Sequence, residues 1–586
     1  MKKILILVGL LFVAVNLMAE PIGEQRARQI ATEFFAQRST RVAGDINLEW
    51  AGDCITDESD TGSSLDSSLI YIYNRGADGG FVVVAGDSNI TPILAYSFDM
   101  TLNTSNMADA TAAILDAWCR QVEGARKAAK PISGTTMRAA TRSNDAILYA
   151  TALWNQEEPY NREAPVYNGA RSVTGCVATA MSIICHYNRW PERGVGTTPE
   201  YSYYDYYGQY RTVEANTLGR AYEYNKMLTS YIEGSYTDEL ANAVAALMKD
   251  MGTSVKMSYH FTQSGAYSSD ALCAFTKYFG YTKNARLTHG ATFSTEVWTE
   301  MIRENLRNYG PTYFSGADAY GGGHAFVVDG FDSGDYFHFN FGWSGVGNGY
   351  YLMPSIDYYQ RQAAILYLAP DKDGTSTYVD DIRLVEYSSD SYSYRGLKSD
   401  ATSYATGSTF NCLMGGFSNY GATMFDGQVK LVLCDKNGAW KEELHTINVT
   451  NLESGYFVFM PSPVATTISS NIEQGDRLRL YYKGQNSDDW QWARSKDLKE
   501  VDDELLVSAS PKELAKGISF EYDKANGAMT FWSKHATTAR VYNRETNEFI
   551  GSIGIEANNG ASYTSTDSVI WEFTLGGEPY RITIKQ

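Results

Sequence analysis

The chain has 586 residues, more than one hydrophobic core can serve, so about three to five domains are expected. Its 44% hydrophobic and 20% charged composition is that of folded protein and excludes a disordered or collagen-like chain. A formal net charge of −19 excludes a nucleic-acid partner, which would need clustered Lys and Arg; with no acidic block the charge reads as solubility.

From the N-terminus, Met1-Lys2-Lys3 precedes an apolar run from Ile4 to Leu17 that ends at Ala19. That pattern predicts a signal peptide over 1–19, cleaved near Ala19 although Leu17 is a large residue for its place. The run is short for a bilayer span, no Cys follows it for lipid attachment, and no later segment is apolar enough to cross a membrane. A secreted, periplasmic or cell-surface protein is expected. A helix is predicted over 24–38, with Ala27, Ile30, Ala31, Phe34 and Phe35 on one face. Strands over 68–75, 80–85 and 93–97 and a helix over 110–127 complete an α+β unit. The polar stretch 131–145, with Arg138 and Arg142, has no hydrophobic period and reads as a linker open to proteolysis.

The domain reading is therefore 20–142 for the N-terminal unit with its linker and 143–370 for a mixed domain that holds the densest chemistry. Alternating strands with Gly, Asn, Asp and Ser turns then predict two β-sandwich modules, 371–508 and 509–586. The 43 tyrosines suit such strand-rich modules, since Tyr covers a half-buried sheet with its tip in water.

Cysteines stand at 54, 119, 176, 185, 273, 412 and 434, an odd number that leaves at least one thiol free. No CxxC pair or His/Cys zinc spacing occurs, so neither metal nor cofactor is expected. Cys412 and Cys434 are either a pair or two small buried side chains.

Cys176 follows Ser172-Val173-Thr174-Gly175 and opens an apolar helical pattern that carries Cys185 on its buried face. At a helix start the dipole and unpaired N–H groups stabilise a thiolate and a developing oxyanion. Thr174 is placed to cap this helix, and Gly175 lets a substrate backbone approach. Taken alone, Cys176 equally fits a small core residue. The second site, Gly321-Gly322-Gly323-His324, leads into a buried strand, and its distance from Cys176, 324 − 176 = 148 residues, is that of papain-like Cys/His pairs. Gly322 and Gly323 are read as cleft lining and His324 as the base.

The third site is Phe337-His338-Phe339-Asn340-Phe341-Gly342-Trp343. Asn340 is placed to accept the His324 Nδ1–H, with Phe341 and Trp343 as an aromatic wall. His338 is the rival base. Asp329 and Asp335 are alternatives to Asn340, but Asp329 lies five residues along the His324 strand, roughly 16 Å if extended. A fourth element, Trp154-Asn155-Gln156, offers Gln156 as a second oxyanion donor beside the Cys176 N–H. His186, His260 and His289 have no comparable setting.

With WNQEEPYN, TGCVATAMSIICHYNRWP, GGHAFVVDGF and FHFNFGW followed by GNGY, the chain resembles the streptopain family of cysteine peptidases, including its Bacteroides and Prevotella branch, over about 154–351. The resemblance implies a papain-like two-lobed fold, with Gln156 in the oxyanion hole, Cys176 as nucleophile, His324 as acid/base and Asn340 as its orienter. It also implies that the N-terminal unit is a pro-domain inhibiting its own enzyme until cleavage. The family carries Trp where Phe341 stands, which alters the pocket wall. The C-terminal modules exceed the short family pattern. The expected activity is endoproteolysis of protein or peptide substrates, host proteins among them. A Cys/His amidase on cell-wall peptides and a surface binding protein with a vestigial catalytic domain are the rival readings.

Overall fold

The computed structural model describes residues 21–584 except 39–44, 54–66, 77–78, 129–145, 206, 291–292, 294, 320, 355–358, 389–392, 402–403, 405, 408, 461, 474–475, 495–502, 508–517, 524–527, 534–536, 544–548, 556–558, 565–568 and 576–577. The signal-peptide reading, Cys54, and the linker arginines Arg138 and Arg142 lie outside the described residues. The chain divides into two units.

The first unit holds residues up to 145 together with 333–336 and 346–354. Helix α1 (Glu24–Arg38) buries Ala27, Ala31 and Phe35, one residue per turn, while Ile30 and Phe34 pack at the margin. It lies on an antiparallel sheet of Ile46–Gly52, Ile70–Arg75, Phe81–Ala85 and Ile93–Ser97, taken in spatial as in chain order. The side chains Tyr71, Tyr73, Val82 and Val84 share a core with α1. Helix α2 (Asp109–Ala128) packs on the same sheet, and Phe81–Ala85 and Ile93–Ser97 are buried on both faces. The strand Ile46–Gly52 was not foreseen; only its last residue is fully buried, so its sequence shows no clean alternation.

The N-terminal unit is also not continuous in sequence. Strand Gly349–Leu352 adds to its sheet, pairing Tyr350 with Tyr96 and Tyr351 with Ala95. The Tyr350 ring stacks on Tyr96 at 5.1 Å and Tyr351 on Trp118 at 5.9 Å.

In the second unit, helices α3 (Cys176–Asn188), α4 (Asp238–Ser254) and α5 (Ser268–Tyr278) form a helical lobe. Beside it runs an antiparallel sheet in the order Tyr336–Asn340, Gly323–Phe331, Thr312–Ala317, Gln360–Leu366, Arg286–His289. One face, with Tyr313, Ala325 and Val327, shares a core with Val177, Ala178 and Met181 of α3. The opposite face carries Phe314, Phe326 and Phe339, covered by Trp298 of α6 (Thr295–Tyr309). The α+β character follows: a helix-rich lobe against an antiparallel sheet.

Among the described residues the regular elements of the C-terminal region are all strands. From 371 to 508, paired sheets enclose Leu384, Phe417, Val429, Leu431, Leu478 and Leu480. Beyond 517, the sheet of Ile518–Asp523, Ala528–Ser533 and Asn559–Thr564 faces the four-stranded sheet that holds Val569–Leu575, with Trp571 against Phe531 at 4.4 Å. Cys412 and Cys434 are both free and buried, so the unpaired reading holds for them.

Candidate active site

The nucleophile segment is shaped by Gly175. It is the N-cap of α3 with φ of +87°, and a Cβ there would stand 2.6 Å from the Met257 sulfur and 2.9 Å from the Ser264 carbonyl oxygen. Only glycine tolerates both constraints. Thr174 does not cap the helix as expected. Its hydroxyl meets Thr179 Oγ1 at 3.0 Å, and no side chain caps the first turn. No side chain therefore caps the amides at the helix start beside Cys176, a half-buried cysteine outside any disulfide. Cys185 is a packing residue by contrast: fully buried, with its thiol pushed up to about 12 by desolvation.

Two backbone bonds knit the remaining segments around this start. The Thr174 N–H donates to the Gln156 carbonyl at 3.0 Å, so Gln156 runs alongside the nucleophile segment. The Ser344 N–H donates to the Trp154 carbonyl at 3.0 Å, bringing the residue after Trp343 to the Trp154–Gln156 segment. Trp154 is buried and donates its indole N–H to the Leu228 carbonyl at 2.8 Å, which anchors the segment.

His324 stands second in its strand, directly across from Gly316. Cross-strand partners share a face. On that face Tyr359 covers Gly316, where a Cβ would fall 2.2 Å from its ring. The loop before His324 closes on itself: Asp318 N–H donates to the Gly322 carbonyl at 3.0 Å, and Gly322 N–H to Asp318 Oδ1 at 2.8 Å. The other carboxylate oxygen, Oδ2, lies 3.8 Å from His324 Nε2. Gly323 is exposed with open space where a Cβ would stand, whereas a Cβ on Gly322 would collide with the Asp318 carboxylate at 2.6 Å.

Asn340 does not meet His324. It pairs across the sheet with Val327, three residues from His324 and therefore on the opposite face. Among the described residues its amide donates to Thr151 Oγ1 at 2.8 Å and the Ala152 carbonyl at 3.0 Å, and its oxygen accepts from Gly342 N–H at 3.2 Å. The residue on the histidine's face is Phe341, 3% exposed, whose ring packs with Phe326 at 5.2 Å and Phe339 at 5.9 Å. Phe341 is thus part of an aromatic layer rather than open cleft lining, while Trp343 stays half-buried.

The rival groups are engaged elsewhere. His338 Nδ1 is paired with Asp329 Oδ1 at 2.5 Å, and the second Asp329 oxygen accepts from Thr151. His186 packs on Trp154 at 4.7 Å, and burial lowers its pKa. His260 and His289 rest against Tyr207 and Tyr420. Sequence reasoning missed Asp318 and Tyr359. Asp318 sits six residues before His324, but its approach depends on the loop closing, which no spacing rule reports. The only signal was the glycine run beside it.

A half-buried thiol at a helix start without a side-chain cap, an amide-bearing segment bonded alongside, and an imidazole leading a strand that packs on that helix are the parts a cysteine peptidase uses. Residues 154–351 match the Peptidase C10 family, and residues 19–122 match the Spi protease inhibitor family. The segment 154–351 is thus streptopain-like and of the Peptidase C10 type, with an inhibitor-type segment ahead of it. Among curated relatives it is similar to the thiol protease/hemagglutinin PrtT of Porphyromonas gingivalis, at 30% identity over 60% of this chain and 41% of that protein. It therefore spans less than half the length of that relative. Similarity to streptopain of Streptococcus pyogenes is 29% over 57% of this chain and 85% of that one. Among solved structures, a prointerpain A fragment of Prevotella intermedia aligns at 27% identity and TM-score 0.43, covering 51% of this chain and 94% of that one. Active interpain A cysteine protease from the same organism aligns at 30% and 0.34, covering 38% and 96%.

Proposed function

We propose that the chain is an exported endopeptidase zymogen that cleaves protein and peptide substrates, host proteins included, through a thioester on Cys176. The observation that carries this reading is the bond from Thr174 N–H to the Gln156 carbonyl, which sets an amide-bearing residue beside the uncapped start of α3.

In the first step the Cys176 thiolate attacks the scissile carbonyl, and a C–S bond forms. The Cys176 N–H and the Gln156 side chain bind the oxyanion. The C–N bond then breaks as the His324 imidazolium gives its proton to the leaving amine. Water, losing a proton to His324, adds to the thioester; the C–S bond breaks, and the acid product leaves with the thiolate restored. The N-terminal unit acts as an intramolecular inhibitor, and cleavage within 131–145, at Arg138 or Arg142, releases it. Among the described residues no helix is long and apolar enough to cross a membrane. Export rests on the N-terminal pattern, and the site of action is the cell exterior, its surface or the periplasm.

Casein hydrolysis and self-processing, compared between the wild-type chain and Cys176→Ala in a protease-free preparation, test the reading. Both activities are expected to vanish in the variant. Continued self-processing by Cys176→Ala would remove Cys176 from the mechanism.

A further inference from the structure

Beside the nucleophile segment lies a cavity of about 400 Å³ that the peptide-bond chemistry does not use. Tyr167, Ser172, Tyr207, Arg211, His260 and Phe261 line it. Tyr167 and Ser172 come from the hairpin of Val166–Tyr167 and Ala170–Arg171 and its exit towards Cys176. Tyr207 and Arg211 come from the hairpin of Tyr201–Tyr204 and Tyr210–Val213, and His260 and Phe261 from the loop that follows α4. The hairpin is fastened to that loop: Tyr201 Oη donates to the Met257 carbonyl at 2.9 Å and Tyr203 Oη to the Tyr259 carbonyl at 2.8 Å. The loop is in turn fastened to the nucleophile segment. Val173 N–H donates to the His260 carbonyl at 3.0 Å, and Ser264 Oγ donates to the Val173 carbonyl at 2.8 Å.

The inner polar groups of this cavity are short of acceptors. Asp205 is spent: Oδ1 accepts the Tyr207 and Gln209 amides at 3.0 and 2.8 Å, and Oδ2 accepts Arg211 Nε at 2.9 Å. Arg211 lies over the Tyr167 ring at 4.6 Å, and its two terminal amino groups meet no acceptor among the described residues. His260 is 5% exposed, with its ring packed on Tyr207 at 5.1 Å and Phe261 at 4.1 Å. Its Nδ1 accepts the Thr262 N–H at 3.2 Å and meets Thr262 Oγ1 at 2.8 Å, so the proton of the neutral ring is on Nε2. That Nε2–H has no partner among the described residues and sits on the ring edge opposite Thr262, toward the cavity. Ser172 is 1% exposed, and its hydroxyl has no partner among the described residues either.

We propose that this cavity is an extended subsite for an acidic residue of the substrate. The carboxylate takes the open edge of the Arg211 guanidinium and the His260 Nε2–H, and Tyr167, Tyr207 and Phe261 wall its apolar stem. A planar guanidinium edge matches the two carboxylate oxygens, and aromatic walls that exclude water strengthen the bonds. Ser172 stands four residues before Cys176, so the floor of the cavity is within roughly 13 Å of the nucleophile along the chain. That is the reach of about four residues of extended substrate. The assignment rests on the cysteine-peptidase reading of the site and gives it a substrate class.

His260→Asn keeps an oxygen for the Thr262 N–H and removes the Nε2–H, while Arg211→Lys keeps a charge for Asp205 and removes the planar edge. The full-length chains are processed by a trace of tagged wild-type enzyme that is then removed. The probes are internally quenched peptides built on one cleaved sequence, with Glu or Gln placed in turn at each position within about four residues of the cut. Wild-type enzyme is expected to prefer Glu over Gln at one position by roughly 10- to 100-fold in kcat/KM, the worth of a charge-assisted hydrogen bond. In both variants that ratio is expected to fall to within about threefold of unity.

Equal cleavage of Glu and Gln peptides at every position, or a preference kept in both variants, would overturn the inference. Free glutarate that alters cleavage of the Gln peptides, with no gain from a Glu in the substrate, would put a free acid in the cavity and overturn the substrate assignment. Loss of the peptidase reading is a separate result, seen as peptide cleavage that persists in Cys176→Ala. Calorimetric binding of the Glu and Gln peptides to processed Cys176→Ala still reads the cavity in that case, and equal affinities there would overturn the inference.

Discussion

Asn340 and Val327 face each other across two antiparallel strands, and this one register directs the Asn340 amide to the face of the sheet that packs on α3. There it ties the strand to Thr151 and Ala152, the segment leading to Trp154 and Gln156.

Asn340 is therefore expected to matter for stability before catalysis. Its side chain is 1% exposed and fully used, so Asn340→Ala should cost about 2–3 kcal/mol, from unmet buried partners. Denaturant unfolding checks the cost. The folded fraction should keep the pH profile of the wild-type enzyme.

Native thiol labelling should be selective. Desolvation pushes Cys185 and Cys412 up to about 12 and Cys273 up to about 11, so none is appreciably ionised near pH 7. Brief iodoacetamide treatment of the processed enzyme at pH 7, followed by peptide mass mapping, should place the fast adduct on Cys176. Faster labelling of Cys185 or Cys273 would contradict the packing.

Asp270 gives a pH signature in stability. Burial raises its carboxyl from 3.8 to about 6 in the folded chain, Lys256 opposing and Glu453 reinforcing the shift. A raised acid binds more protons folded than unfolded. Its contribution is therefore favourable below the unfolded value and declines as pH rises from about 4 to about 6. Asp270→Asn should stabilise the protein at pH 7.5, by an order of 1–3 kcal/mol, and far less at pH 4. Melting temperatures at the two pH values check the sign.

The strand Gly349–Leu352 makes a prediction for latency. Trp118 is 2% exposed and stacks on Tyr351, so Trp118→Ala should cost about 3–5 kcal/mol within the N-terminal unit. Hydrogen exchange at Tyr350 and Tyr351 should quicken, and the zymogen should process itself faster. Unchanged exchange at that strand would show that the stacking contributes little.

Helix α3, the glycine loop before His324 and the long core strands were legible because helical period, glycine runs and apolar strands are local signals. The position of Asn340 was not. Alternation tells which residues share a face but not which face meets the site, and a one-residue difference separates Asn340 from Phe341. Thr174 was misread as a cap because Gly175, at φ of +87°, takes the N-cap place itself. Asp318 was missed because its approach to His324 is made by a closing loop, not by periodicity. The N-terminal unit could not be read as discontinuous, since its last strand lies more than 200 residues beyond its linker and reveals itself only through pairing with Ile93–Ser97.

The central claim, a thioester on Cys176, is tested most directly by trapping it. The processed enzyme is mixed with a slowly hydrolysed peptide ester, quenched in acid within the first turnovers and mapped by peptide mass. The account predicts the acyl mass on the peptide that contains Cys176, absent in Cys176→Ala. Steady hydrolysis with no adduct on that peptide, or with the adduct on another cysteine, would contradict it.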